Sequence, residues 1–184
     1  MDSYGDSTVM ASELHVDAIK HSGGTSALTI DSSGNLTASA KLHSAGLVLQ
    51  TVFANTSTNT TISTSSYVDS TITATITPKF STSKILVLTN MCVDAASSNN
   101  LQAKLFRDST ELKLEQFWGY FVSSSGNYKV TRESHMYLDS PSSTSALVYK
   151  WQARLRSGVN TNYLQWDDSN GETDSQIVLQ EIAQ

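Results

Sequence analysis

Acidic and imidazole side chains are the usual carriers of metal binding and proton transfer, and in this 184-residue chain they are sparse and poorly spaced for either. The densest acidic run is Asp167-Asp168-Ser169-Asn170-Gly171-Glu172-Thr173-Asp174. With Gly171 taken as the sixth position of a calcium loop, the first and twelfth ligands would be Trp166 and Ile177, whose side chains offer no oxygen. The run reads as a solvated loop. His15, His21 and His43 share the N-terminal stretch. Three copies of one of them around a symmetry axis would suit a metal ion, yet single histidines in a polar, turn-rich segment read more simply as surface residues. His135, with Glu133 on the same strand face, reads as a cross-strand polar contact. Glu111 and Glu115 are a carboxylate pair of the kind glycosidases use, but their spacing fixes no geometry. Serines are too abundant to single one out, and no G-x-S-x-G is present. The lone cysteine, Cys92, sits in an apolar run and reads as a small buried hydrophobe. No catalytic residue, metal or cofactor is expected.

The aromatic residues are better placed for recognition. Trp118, Tyr120, Tyr128, Tyr163 and Trp166 all lie beside predicted loops. Exposed rings of this kind stack on sugars while neighbouring Asn, Gln and Asp read hydroxyls. The competing reading packs them in the core or between subunits, where aromatics dominate the energetics. They are the candidate ligand-contact residues, which become receptor-binding candidates under the resemblance given below.

The elements that would carry these residues are strands. Serine and threonine make up 51 of the 184 residues and charged residues only 16%; threonine favours strands and serine favours turns. Short runs recur from 46–54 onward. In 71–77, Ile72, Ala74 and Ile76 alternate with threonines, the period of a half-buried strand. The run 46–54 is apolar enough to be buried on both faces, and 85–93 reads as a central strand. Runs 101–107 and 111–117 flank Asp108-Ser109-Thr110 as a hairpin. Pro78 and Pro141 close strands. In 147–155, Leu147, Tyr149, Trp151, Ala153 and Leu155 share one face. The expected core is Ile85, Val87, Leu105, Met136, Leu147, Tyr149, Trp151, Leu179 and Ile182. No segment has a helical period. The fold class is therefore all-β, with an N-terminal intertwined β segment over 1–45 and a jelly-roll-like antiparallel sandwich over 46–184.

The N-terminal segment carries the argument for assembly. Its runs at 13–19, 27–31 and from Leu36 onward offer two or three apolar side chains each. Ordering a residue's backbone costs about 1–2 kcal/mol and burying one such side chain returns about 1.5–3 kcal/mol, so the segment is too thin to order alone. Copies winding side by side would share one axial core and remove exposed edges. Leu14, Val16, Leu28, Ile30, Leu36 and Leu42 are the candidates to line that axis, the trimer-interface residues should the copies number three as the resemblance given below implies.

Several classes are disfavoured. A net charge of −5 does not suit nucleic acid. No run of 18 apolar residues offers membrane insertion, and 1–13 lacks the pattern of a signal peptide.

Several words of the sequence point to a family. They are Met10-Ala11-Ser12-Glu13-Leu14, SALTIDSSGN at 26–35, and Ile76-Thr77-Pro78 leading into Ser83-Lys84-Ile85-Leu86-Val87. Leu105-Phe106-Arg107-Asp108-Ser109-Thr110, YLDSPSSTS at 137–145, Tyr149-Lys150-Trp151-Gln152 and the ending 177–183 belong with them. Together they cover most of the chain, which resembles the C-terminal domains of tail-fibre and related virion proteins of marine bacteriophages. The resemblance implies a homotrimeric virion component with a β-sandwich head and variable loops. Such a protein is assembled in the host cytoplasm and released by lysis, with the N-terminal segment docking on other virion proteins. Met10 resembles the usual family start, so 1–9 read as an extension. The chain lacks the long shaft of a full fibre. Two functions fit: a non-catalytic appendage binding a host-surface glycan or protein, and a capsid decoration (cement) protein or head fibre binding only other virion subunits.

Overall fold

A computed structural model of the chain describes residues 16–20, 22–24, 26–38, 45–94, 100–117, 130–157, 162–165 and 173–184. Their regular structure is all β-strand, and every pairing is antiparallel. The chain divides into two compact units, Met1–His43 and Ser44–Gln184.

The first unit is a meander of β1 (Ala18–Lys20), β2 (Ser26–Ile30) and β3 (Leu36–Ala38), in that order across the sheet. Its second turn is held by Asp31, whose carboxylate accepts from the backbone of Ser33 and from both backbone and side chain of Asn35, each at 2.9 Å. These donors, the Asn35 side chain foremost, hold the Asp31 carboxyl below the usual carboxylate range. Gly34 takes a left-handed φ of 81° that a side chain would resist. No described side chain of this unit is fully buried, and Ile19 and Ile30 are 48% and 43% exposed. One copy leaves these apolar groups in water.

The second unit is a sandwich. Its strands are β4 (Val48–Thr56), β5 (Thr61–Ile62), β6 (Val68–Ile76), β7 (Lys84–Asp94), β8 (Asn100–Arg107), β9 (Thr110–Phe117), β10 (Val130–Asp139), β11 (Leu147–Ser157), β12 (Asn162–Leu164) and β13 (Ser175–Ile182). One sheet runs β4-β13-β7-β10, with β12 and the short β5 continuing beside β7; the other runs β6-β11-β8-β9. Counting only the eight long strands in chain order, the first sheet holds the first, eighth, third and sixth, and the second holds the second, seventh, fourth and fifth. That interleaving is the double Greek key of a jelly roll.

Strand parity builds the core. In β6, Ser70, Ile72, Ala74 and Ile76 face inward while Thr71, Thr73 and Thr75 face water. In β11, Leu147, Tyr149, Trp151, Ala153 and Leu155 are all buried. They meet Ile85, Val87, Met91, Ile177 and Leu179 of the opposite sheet. Polar ties also cross between the sheets. Trp151 Nε1 donates to Thr89 Oγ1 at 3.1 Å, and Tyr149 Oη donates to Asp139 Oδ2 at 2.7 Å. Arg107 Nη1 meets the same carboxylate oxygen at 2.6 Å. Burial, and then the Asp139 carboxylate, push the Tyr149 phenol well above its ordinary range. The β8–β9 hairpin turns on Asp108, in the left-handed region at φ 51°. Its carboxylate accepts from the Val148 backbone at 3.0 Å, locking the turn to β11.

Three expectations fail on parity. Met136 is 65% exposed because β10 turns His135, Tyr137 and Asp139 inward, and Asp139 must face in to meet Arg107 and Tyr149. Ile182 is only half-buried, being three positions from Leu179 and so on the opposite strand face. The inward neighbour of Leu179 is Glu181, fully buried. Burial alone would raise its pKa. The Lys79 and Phe80 backbone N–H groups and the Gln50 amide outweigh that and hold it below the usual range. Finally, 46–54 is not buried on both faces: β4 is an edge strand, and Phe53 on its outer side is 58% exposed.

Candidate functional site

The antiparallel register places the ends of the sandwich on different footings. Thr56, Asp94, Asn100, Phe117, Val130, Ser157 and Ser175 are strand ends at one end. The connections through 57–67, 95–99, 118–129 and 158–174 all leave from there. At the opposite end the connections are 77–83, 108–109 and 140–146, none longer than seven residues, whereas 57–67, 118–129 and 158–174 each exceed ten. The chain also enters the sandwich at that opposite end, where Gly46 and Ala183 donate to each other's strand termini through bonds of 2.9 Å to Ala183 and Leu47 carbonyls. The long connections thus gather away from where the chain comes in.

Of the candidate receptor-binding residues, Tyr163 is placed at that loop-bearing end. Tyr163 is half-buried on β12, opposite Thr61 of β5 and Asp94 of β7. Trp118, Tyr120, Tyr128 and Trp166 lie outside the described residues, as do His15, His21, His43, Leu14 and Leu42. Of the remaining trimer candidates, Val16 and Leu28 are half-buried, Ile30 is exposed, and Leu36 pairs with Ile30 across β2 and β3.

Gln165, which sequence reasoning passed over, anchors this end. It is fully buried and held at φ 109°, a left-handed conformation costly for any residue with a side chain. The strain is held by a hydrogen-bonded cluster. Its N–H donates to the Cys92 carbonyl and its amide to the Thr173 carbonyl, each at 3.0 Å. Its side-chain oxygen accepts from Ser175, whose hydroxyl in turn accepts from the Cys92 N–H. Gln165 thereby pins both ends of 166–172 against β7 and β13. No sequence signal marks it, since its partners come from three separate stretches.

The carboxylate pair does not converge. A bulge at Leu112 reverses the parity of β9, so Glu111 faces outward to Lys104 at 2.6 Å. Glu115 instead pairs with Lys113 at 2.6 Å and approaches His135 Nδ1 at 3.5 Å on the inner side. Burial holds the His135 imidazole below its ordinary pKa despite that carboxylate. The histidine also lies 5.3 Å from the Trp151 ring, so its contact reaches across the layers rather than along the strand. Among the described residues, no three His, Cys, Asp or Glu side chains gather where a metal could bind.

A second surface lies on the flank. The outer faces of the sandwich differ in kind. On β6-β11-β8-β9 the outer face is charged and paired, with Lys150 and Gln152 on Asp69, Lys104 on Glu111 and Arg154 on Gln102. On β4-β13-β7-β10 the register sets Phe53 beside Val178, Val178 beside Leu88, and Leu88 beside Met136. Leu86 and Leu138 form the next pair. A hollow of about 330 Å³ opens between β7, β10 and β13, lined in part by Leu88, Met136 and Val178.

Neither a protein-family model nor a curated protein matches the chain. Among solved structures, the infectious bursal disease virus VP2 subviral particle matches 74% of this chain and 38% of that one, at 8% identity and a TM-score of 0.39. The Gx strain of the same virus matches 74% and 37%, at 7% identity and 0.34. Dimeric latent PorU from Porphyromonas gingivalis matches 76% and 14%, at 11% identity and 0.26. The chain spans well under half the length of each of these proteins. The fold assignment rests on the strand order described above.

Proposed function

We propose that this chain is a non-catalytic structural subunit of a bacteriophage virion, a homotrimeric, tail-fibre-like appendage whose head binds a host-surface glycan or protein. The observation that carries the reading is the polarity of the head. The three connections of more than ten residues leave from one end, Tyr163 sits at that end beside Asp94, Trp118, Tyr120, Tyr128 and Trp166 fall by sequence within 118–129 and 158–174, and the chain enters at the other. A head mounted by its N-terminal side would present those residues outward. The jelly roll supplies a rigid base for variable loops, and Gln165 fixes the root of one of them. The resemblance of its sequence words to those of tail-fibre domains supports the virion reading. The exposed Ile19 and Ile30 support association of copies through the N-terminal unit, since joining copies would take that apolar surface out of water.

The test is competition for adsorption. Purified protein added to host cells should slow attachment of the phage that carries it. Alanine at Trp118, Tyr120 or Trp166 should weaken that competition by about tenfold or more while the strand-rich circular dichroism spectrum is retained. Saturating protein that leaves attachment unchanged would overturn receptor binding and favour a subunit that contacts only other virion proteins.

A further inference from the structure

The outer face of β4-β13-β7-β10 is apolar where the fold leaves it in water. Met136 is 65% exposed, Phe53 58%, Leu138 48% and Val48 46%. Between them lie only uncharged residues, among them Thr51, Asn90, Ser134 and Gln180. Lys84 and Arg132 sit at opposite ends of the face. The stretch 46–54 is thus written as a strand covered on both sides, and a single chain covers one. Four strands about 4.8 Å apart and about ten residues long span roughly 600 Å² as a flat plane, close to the ~800 Å² of accessible surface per partner that stable interfaces bury.

We propose that this face is an interface between copies of this chain, with Phe53 of one copy seated in the hollow between Leu88, Met136 and Val178 of the next. Several features favour a second copy as the occupant. The face carries both a projecting aromatic knob and an apolar hollow, and β13 separates Phe53 from the hollow in its own chain. A cavity of about 150 Å³ already accepts a benzene ring, so the hollow is large enough for the phenyl group. The centre of the face holds no charge that a like surface would repel or that a charged partner would seek. A knob meeting a hollow is a heterologous contact, which closes into a ring when the rotation allows. The contact stands on this geometry alone; only the number of copies in the ring rests on the proposed trimer.

Sedimentation of the full-length chain tests it. Wild type should associate. Phe53→Glu and Met136→Lys should each weaken association at least about tenfold with the strand spectrum intact, and Thr75→Glu, on the other outer face, should not. The double variant Phe53→Glu/Met136→Lys should associate better than either single one, because the introduced carboxylate of one copy would then meet the introduced ammonium of the next. Unchanged association in both single variants overturns the face contact and leaves a trimer held by the N-terminal unit. A wild type that stays monomeric at high micromolar concentration overturns both.

Discussion

Replacing Trp151 with alanine should lower the unfolding free energy of the head by about 3–5 kcal/mol. Trp151 is 1% exposed at the middle of β11, so its removal leaves a cavity between two sheets that cannot both collapse into it. Its indole N–H also ties β11 to Thr89 on the facing sheet. Denaturant melts followed by intrinsic fluorescence of the remaining tryptophans, or by circular dichroism, measure the effect. A loss below about 1 kcal/mol would contradict the placement of the 147–155 face in the core. Trp151→Phe keeps most of the volume and should recover much of the loss, separating packing from the single hydrogen bond.

Asp139→Ala should be comparably damaging, by about 3–5 kcal/mol. The carboxylate receives both the Arg107 guanidinium and the Tyr149 hydroxyl, and the side chains of Arg107 and Asp139 are only 19% and 7% exposed. Removing the acceptor leaves a mostly buried cation and an unpaired phenol in a site shaped for their charge. The cost is one of orphaned groups, so it should shrink when they are removed together. The double variant Arg107→Leu/Asp139→Leu should be less destabilised than Asp139→Ala. Equal losses, or a single variant within about 0.5 kcal/mol of wild type, would show that the three side chains do not form one network.

What was legible in the sequence follows from how strongly parity is written. In β6, threonines alternate with Ile72, Ala74 and Ile76, and in β11 lysine, glutamine and arginine alternate with buried residues, so each strand declares its inner face. The strands β7 and β10 do not. Leu86 and Leu88 face outward while Ile85 and Val87 face inward, and β10 turns His135 and Asp139 in and Met136 and Leu138 out. A rule that sends apolar residues inward reads β10 in the wrong phase, since one position of slip moves every side chain to the other face. The outward apolar residues that break the rule, Met136 and Leu138, are 65% and 48% exposed.

The polar architecture was less legible still. Arg107, Asp139 and Tyr149 come from three strands, and only the strand order brings them together. Glu181 reads as a surface charge until its strand is paired and the 77–83 connection folds over it. Glu111 and Glu115 share a face by simple counting, and a single-residue bulge parts them. The hairpin at Asp108-Ser109 was readable because its turn chemistry is local. The loop-bearing end could be inferred only once register was known, because which connections share an end depends on how the strands pair.

Electron microscopy of intact virions that carry the chain tests the proposed function most directly. The account predicts three-fold density of jelly-roll heads at the tail, with the ends bearing 95–99, 118–129 and 158–174 pointing away from the particle and the N-terminal sides toward it. Heads seated on capsid lattice axes, with those same ends turned inward onto neighbouring subunits, would contradict it.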